Sequence, residues 1–164
     1  MNRGPVVVVV GNPRPQSRTF QVAVAVARAL TGAEPDRAID LAALGPALLD
    51  WDDPEVGELV ALAAQARLLV VASPTYKGSY TGILKLFLDR FAAGSLAGVT
   101  TVPLMLGGGE LHALAVEVFL KPVLAELGAS CPSPGLFLVD THYADLEPIR
   151  PQLVRLQRLL ATDA

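Results

Sequence analysis

The stretch Gly11-Asn12-Pro13-Arg14-Pro15-Gln16-Ser17-Arg18-Thr19 gathers hydroxyls and guanidinium groups directly behind the apolar run Pro5–Val10. If it joins a strand to a helix, the unpaired N–H groups and positive dipole end of that helix favour an anion. Ser17 and Thr19 can donate hydroxyl bonds, and Arg14 or Arg18 can supply charge, so a terminal phosphate suits the loop. Ser17 is also placed to cap the helix. The stretch matches neither G-x-G-x-x-G nor G-x-x-x-x-G-K-[ST], which argues against a Rossmann dinucleotide site and a nucleotide triphosphatase.

Two further loops carry chemistry. Ser73-Pro74-Thr75-Tyr76-Lys77-Gly78-Ser79-Tyr80-Thr81-Gly82 is built from small and rigid residues that let backbone approach a flat ligand, and Tyr76 or Tyr80 can flank a ring. Gly107-Gly108-Gly109 permits positive φ and close approach of backbone N–H groups to a ligand edge. There is no nucleophile elbow, and His112 and His142 have no obvious partners in the sequence. Asp140, His142 and Asp145 have metal-ligand types, but a loop after a strand needs such polar residues anyway. The lone Cys131 excludes an internal disulfide and reads as a buried small hydrophobe. The order Asp53-Pro54-Glu55 reads as an N-cap, a first-turn proline and a dipole-favoured acid rather than a carboxylate pair for catalysis.

Behind these loops, strand-like runs at Pro5–Val10, Ala38–Leu41, Leu68–Ala72, Val99–Leu106 and Gly135–Val139 alternate with helical patterns near 18–31, 54–66, 82–93, 111–127 and 146–161. That alternation predicts an α/β fold, a parallel sheet covered by helices on both faces. Ligands of such sheets bind at the carboxyl ends of the strands, where all three loops fall. The 164 residues suffice for a single domain spanning 1–164. A net charge of −3 with scattered basic residues offers nucleic acid no phosphate-tracking stripe. No apolar stretch approaches the ~20 residues of a membrane span, and the first apolar run lacks the length of a signal peptide. A cytoplasmic location is therefore expected.

Together the loops resemble the NADPH-dependent FMN reductase family of the flavodoxin-like superfamily. The first is similar to its G-S-x-R-x-x-S-R-T phosphate loop, with Asn12 in place of the serine. Ser73-Pro74-Thr75-Tyr76-Lys77-Gly78-Ser79, Gly82-Ile83-Leu84-Lys85 and Leu88-Asp89 resemble its S-P-x-Y-K-x-S, G-x-L-K and L-D signatures. Gly107-Gly108-Gly109, His112 and the run Leu114–Leu124 look closest to the flavin reductases of two-component alkanesulfonate monooxygenase systems. The resemblance implies a flavodoxin-like three-layer sandwich with a five-stranded parallel sheet in the order 2-1-3-4-5.

It also implies that FMN's phosphate lies on Asn12, Arg14, Ser17, Arg18 and Thr19. The isoalloxazine ring would lie between Pro74, Thr75, Tyr76, Lys77, Gly78 and Ser79 on one side and Gly107, Gly108 and Gly109 on the other. NADPH would pass hydride to the flavin with no protein acid, base or nucleophile required. Alternatives are a bound-FMN reductase of quinones, azo compounds or metal oxyanions, a flavodoxin-like electron carrier, and a non-catalytic interaction domain. A flavin-dependent monooxygenase is the partner such a reductase would serve.

The apolar surplus at Leu86 and along 111–127 predicts a homodimer or homotetramer. Pro122 inside the latter helix lacks an N–H for the carbonyl of Val118, so a kink or π-bulge is expected around 118–122. Val118 stands where the alkanesulfonate-system reductases carry a tyrosine.

Overall fold

The computed structural model describes residues 4–162. Five strands form one parallel sheet in the order β2-β1-β3-β4-β5: β1 Val6–Val10, β2 Arg37–Asp40, β3 Leu68–Pro74, β4 Thr100–Gly107 and β5 Leu136–Val139. This is the strand order that the resemblance implies, and β1 lies in its interior. Its five consecutive valines are all buried, which only a strand covered on both faces can achieve. Val7 and Val9 enter one apolar cluster with Phe87 and Leu84, while Val6, Val8 and Val10 enter another with Val22, Val26 and Leu156.

Helices α1 (Arg18–Thr31), α2 (Leu41–Leu44), α3 (Pro54–Ala64), α4 (Gly82–Leu88), α5 (Lys121–Glu126) and α6 (Arg150–Thr162) complete the layers. Ser17 and Asp53 cap α1 and α3 by accepting the N–H groups of Phe20 and Val56, as expected. Pro103 lies within β4 at a position where its missing donor does no harm. The N–H of Thr101, two residues earlier on the same edge, goes to Ser130 at 2.7 Å, and pairing with β5 begins only at Leu104.

Three helical expectations need correction. The segment expected as one helix over 82–93 ends at Leu88, and Arg90 then donates to the carbonyls of Asp50 at 2.5 Å and Trp51 at 2.9 Å, tying down the loop before α3. The segment over 111–127 is a 3-10 turn at Glu110–His112, a π-helix at Val116–Leu120 and then α5. The N–H of Lys121 reaches back five residues to Val116, so the bulge falls directly before Pro122, where a regular helix would demand a donor that proline lacks. The last helix begins at Arg150, behind a 3-10 turn at Glu147–Ile149. None of the helices described is long and apolar enough to cross a membrane.

Candidate functional site

The first loop is held in shape from within. Asn12 is nearly buried; its Oδ1 accepts the Arg14 N–H at 2.9 Å and its amide donates to Thr19 Oγ1 at 3.2 Å. Sequence reasoning offers that amide to the ligand, whereas the structure spends one of its N–H bonds on the loop. Thr19 accepts this bond and Ser17 accepts that of Phe20, so both hydroxyl hydrogens remain to be donated. Gln16 adopts a φ of 50° and gives its N–H to Asp40 Oδ2 at 2.8 Å, from the end of β2. The N–H groups of Arg18 and Thr19 open the helix and have no intrahelical acceptor.

Arg18 is flanked rather than free. Its Nη1 lies 3.9 Å from Asp140 Oδ2, just past β5, and its guanidinium sits 4.9 Å from the centroid of the Tyr143 ring.

Thr81 fastens the second loop to the first. Its hydroxyl donates to the carbonyl of Gly11 and accepts from Leu84 at 3.3 Å, while its own N–H goes to Ser73 Oγ at 3.0 Å. Tyr76 and Ser79 exchange backbone bonds at 2.8 and 3.2 Å around Lys77 and Gly78, whose φ values of 52° and 83° suit the primed hairpin turns. The turn carries Lys77 at its tip and holds Tyr76 at the mouth of a cleft. Thr75 donates its N–H to Leu106 at 2.6 Å, and its buried Oγ1 has no hydrogen-bond partner. Such an orphaned hydroxyl beside a cleft is what a polar ligand would satisfy.

In the third loop only Gly107 is required by close approach; a Cβ at Gly108 or Gly109 would meet nothing within 4 Å. None of Gly107, Gly108 and Gly109 has a positive φ, contrary to the freedom offered by the sequence, and Gly109 is extended at −178°. A Cβ on Gly107 would stand 2.9 Å from His112 Cβ and from the Phe137 ring, so no side chain fits there.

These three loops meet around one cleft of about 430 Å³, within the ~300–1,000 Å³ usual for ligand sites. Asn12, Arg14, Ser17, Arg18, Thr19, Pro74, Thr75, Tyr76, Gly107 and Gly108 line it. Lys77, Gly78, Ser79 and Gly109 are not on its wall: the first three form the turn that supports Tyr76, and Gly109 leads away into the 3-10 turn. Pro15, Leu106 and Asp140 complete the lining and were not foreseen. For Asp140 a signal existed, since it follows the last strand at the carboxyl edge where ligands of such sheets bind.

Among the described residues, no group of three or more His, Cys, Asp or Glu side chains is arranged to hold a metal. Cys131, expected as a buried small hydrophobe, is only half-buried at the edge of the core; that partial burial pushes its thiol above its ordinary pKa, an effect only partly offset by the nearby Lys121 ammonium.

A doubly wound sheet with hydroxyl, guanidinium and free N–H donors at its first helix, and a glycine-containing wall beyond, defines an α/β protein of the flavodoxin type with a donor-rich cleft at its carboxyl edge. Residues 5–144 match the family model described as NADPH-dependent FMN reductase, and the chain belongs to that family. It is 41% identical over 106 residues to an FMN reductase (NADPH) of Pseudomonas putida, an alignment covering 64% of this chain and 54% of that protein. The chain thus spans about half the length of the curated relative it matches there. With an FMN reductase (NADPH) of Pseudomonas aeruginosa it shares 30% identity over 97% of this chain and 89% of the relative. Among solved structures, an apo NADH:FMN oxidoreductase (EMOB) superposes with a TM-score of 0.84 at 32% identity, covering 96% of this chain and 88% of that one.

Proposed function

We propose that this protein is an NADPH-dependent FMN reductase, with FMN held in the cleft between the three loops and reduced by hydride from NADPH. The observation that carries this reading is the convergence of the Ser17 and Thr19 hydroxyls, the Arg14 and Arg18 guanidinium groups and the unpartnered Thr75 hydroxyl on one cleft at the carboxyl edge of the sheet. The donor set fits a phosphate at the helix start, and the glycine-lined end has room for a planar ring.

Bound FMN would supply the hydride-accepting chemistry. The chain's own residues bind and orient. Ser17, Thr19 and the arginines hold the phosphate, the Thr75 hydroxyl meets a polar edge, and the Tyr76 hairpin and Gly107-Gly108 form the walls. Asn12 acts behind them by fixing Arg14 and Thr19. Lys77, Gly78, Ser79 and Gly109 belong to the same machinery as supports of those walls.

Exposed apolar residues on the segment 111–119 support a homodimer or homotetramer. A flavin-dependent monooxygenase is the partner that reduced flavin would serve, in the cytoplasm.

An arginine-to-phosphate bond contributes roughly 1.5–3 kcal/mol, so FMN should bind more tightly than riboflavin. Arg18→Ala should weaken FMN about 10–100-fold with little effect on riboflavin. Fluorescence titration of both flavins, together with NADPH oxidation with and without added FMN, tests the reading. Equal affinities of the unaltered protein for the two flavins, or no flavin-dependent NADPH oxidation, would overturn it.

A further inference from the structure

We infer that Asp140 is an affinity-setting residue that competes with the flavin phosphate for Arg18 and so holds FMN loosely enough to leave. The inference rests on the phosphate-loop reading above and concerns how that loop is tuned.

Three observations carry it. First, Asp140 lines the same cleft as Arg14, Ser17, Arg18 and Thr19, the residues that would hold an incoming phosphate. Second, it stands 3.9 Å from Arg18 Nη1, close enough for attraction but beyond hydrogen-bond length. Tyr143, stacked on the same guanidinium at 4.9 Å, holds Arg18 within reach of this carboxylate. Third, the loop surrenders another donor to a carboxylate on its opposite side, where Asp40 Oδ2 takes the Gln16 N–H at 2.8 Å.

A loop built only to retain a phosphate would not place a carboxylate against its own guanidinium. With side chains 56% and 44% exposed, the Arg18–Asp140 pair is weak and easily exchanged for a better partner. A phosphate dianion is such a partner, with more charge and more acceptor oxygens. On its arrival Arg18 turns from the carboxylate, and the two like charges are left facing each other across the cleft. That repulsion lowers affinity for FMN and leaves riboflavin untouched. On departure of the phosphate, Asp140 takes Arg18 back. The device suits a flavin that is delivered rather than kept.

The test is paired titration of FMN and riboflavin by fluorescence with the unaltered protein and with Asp140→Asn, which keeps the size of the side chain and removes its charge. Asp140→Asn should tighten FMN about 3–10-fold, slow its release by a similar factor and leave riboflavin unchanged. In about 1 M salt, where the screening length falls to roughly 3 Å, most of the difference should vanish. A purely structural role would not show that salt dependence.

If Asp140→Asn binds FMN no more tightly, or tightens both flavins equally, while the unaltered protein still prefers FMN, the competition is refuted and the phosphate loop stands. If the unaltered protein binds both flavins equally, the phosphate loop itself fails and the competition with it.

Discussion

Asn12 shows how a residue can matter to a ligand without being spent on it. Two of its bonds, to the Arg14 N–H and to Thr19 Oγ1, set the curvature of the first loop in a nearly buried position. Removing such a group leaves two polar atoms to find other partners. Asn12→Ala should therefore cost about 1–3 kcal/mol of stability, read from urea denaturation, and weaken FMN in the same titration. Cys131 makes the opposite case. Its thiol is pushed up in pKa by burial, so at neutral pH the reactive thiolate is scarce. Alkylation by iodoacetamide at pH 7.5 should run several-fold slower than for a small free thiol; a rate equal to or above that of the free thiol would show that burial does not govern this site.

At the scale of elements, the irregular helix 116–126 is the segment on which physical constraints converge. Pro122 forbids the regular bond to Val118, and the ladder answers by widening to a π-helix. Glu117, inside the widened turn, accepts the N–H of Gly135 and pairs with Lys121 at 3.2 Å, while Lys121 also donates to the carbonyl of Ser133 at 2.9 Å. The π-helix is thereby clamped to the loop that enters β5, and β5 ends at Val139, directly before Asp140 on the cleft. A Cβ at Gly135 would lie 2.5 Å from Val116 Cγ2, so the loop packs against the π-helix too closely for any side chain there. Glu117→Ala leaves the half-buried Gly135 N–H without its acceptor and should lower stability by about 1 kcal/mol, measured as a lower urea midpoint with unchanged slope.

For the whole molecule the question is what covers the outer face of that helix. Leu111, Leu114, Val118 and Phe119 are 99%, 72%, 56% and 45% exposed along a single segment. Leu86 of α4 is also exposed, while Leu84, Phe87 and Leu88 fill the core. Apolar surface concentrated this way is costly in water, and a second copy of the chain would cover it. Light scattering at micromolar concentration should give the mass of a dimer or tetramer, and Leu114→Arg should shift it toward the monomer. Val118→Tyr, on the same face, should alter flavin affinity or the ratio of free-flavin to bound-flavin turnover severalfold if this face abuts the flavin site of a partner copy. Unchanged FMN dissociation and unchanged NADPH oxidation would make the position one of packing alone.

Local chemistry was legible in the chain. The valine run of β1, the caps Ser17 and Asp53 and the bulge before Pro122 all follow from residues within a few positions of one another, where covalent geometry and burial leave few choices, whereas the strand order came only from the family resemblance. What lay beyond reading was which donors the fold would use up and which it would leave to a ligand. Gln16 meets Asp40 across 24 residues, and Thr81 reaches Gly11 across 70. Arg18 meets Asp140 and Tyr143 only because β1 and β5 belong to one sheet whose carboxyl edge gathers both. Just past the early end of α4, Arg90 likewise meets the carbonyls of Asp50 and Trp51 only on folding. Sequence determines which bonds each residue can make; the packed sheet decides which of them are already made before a ligand arrives, because partners distant along the chain become neighbours only on folding.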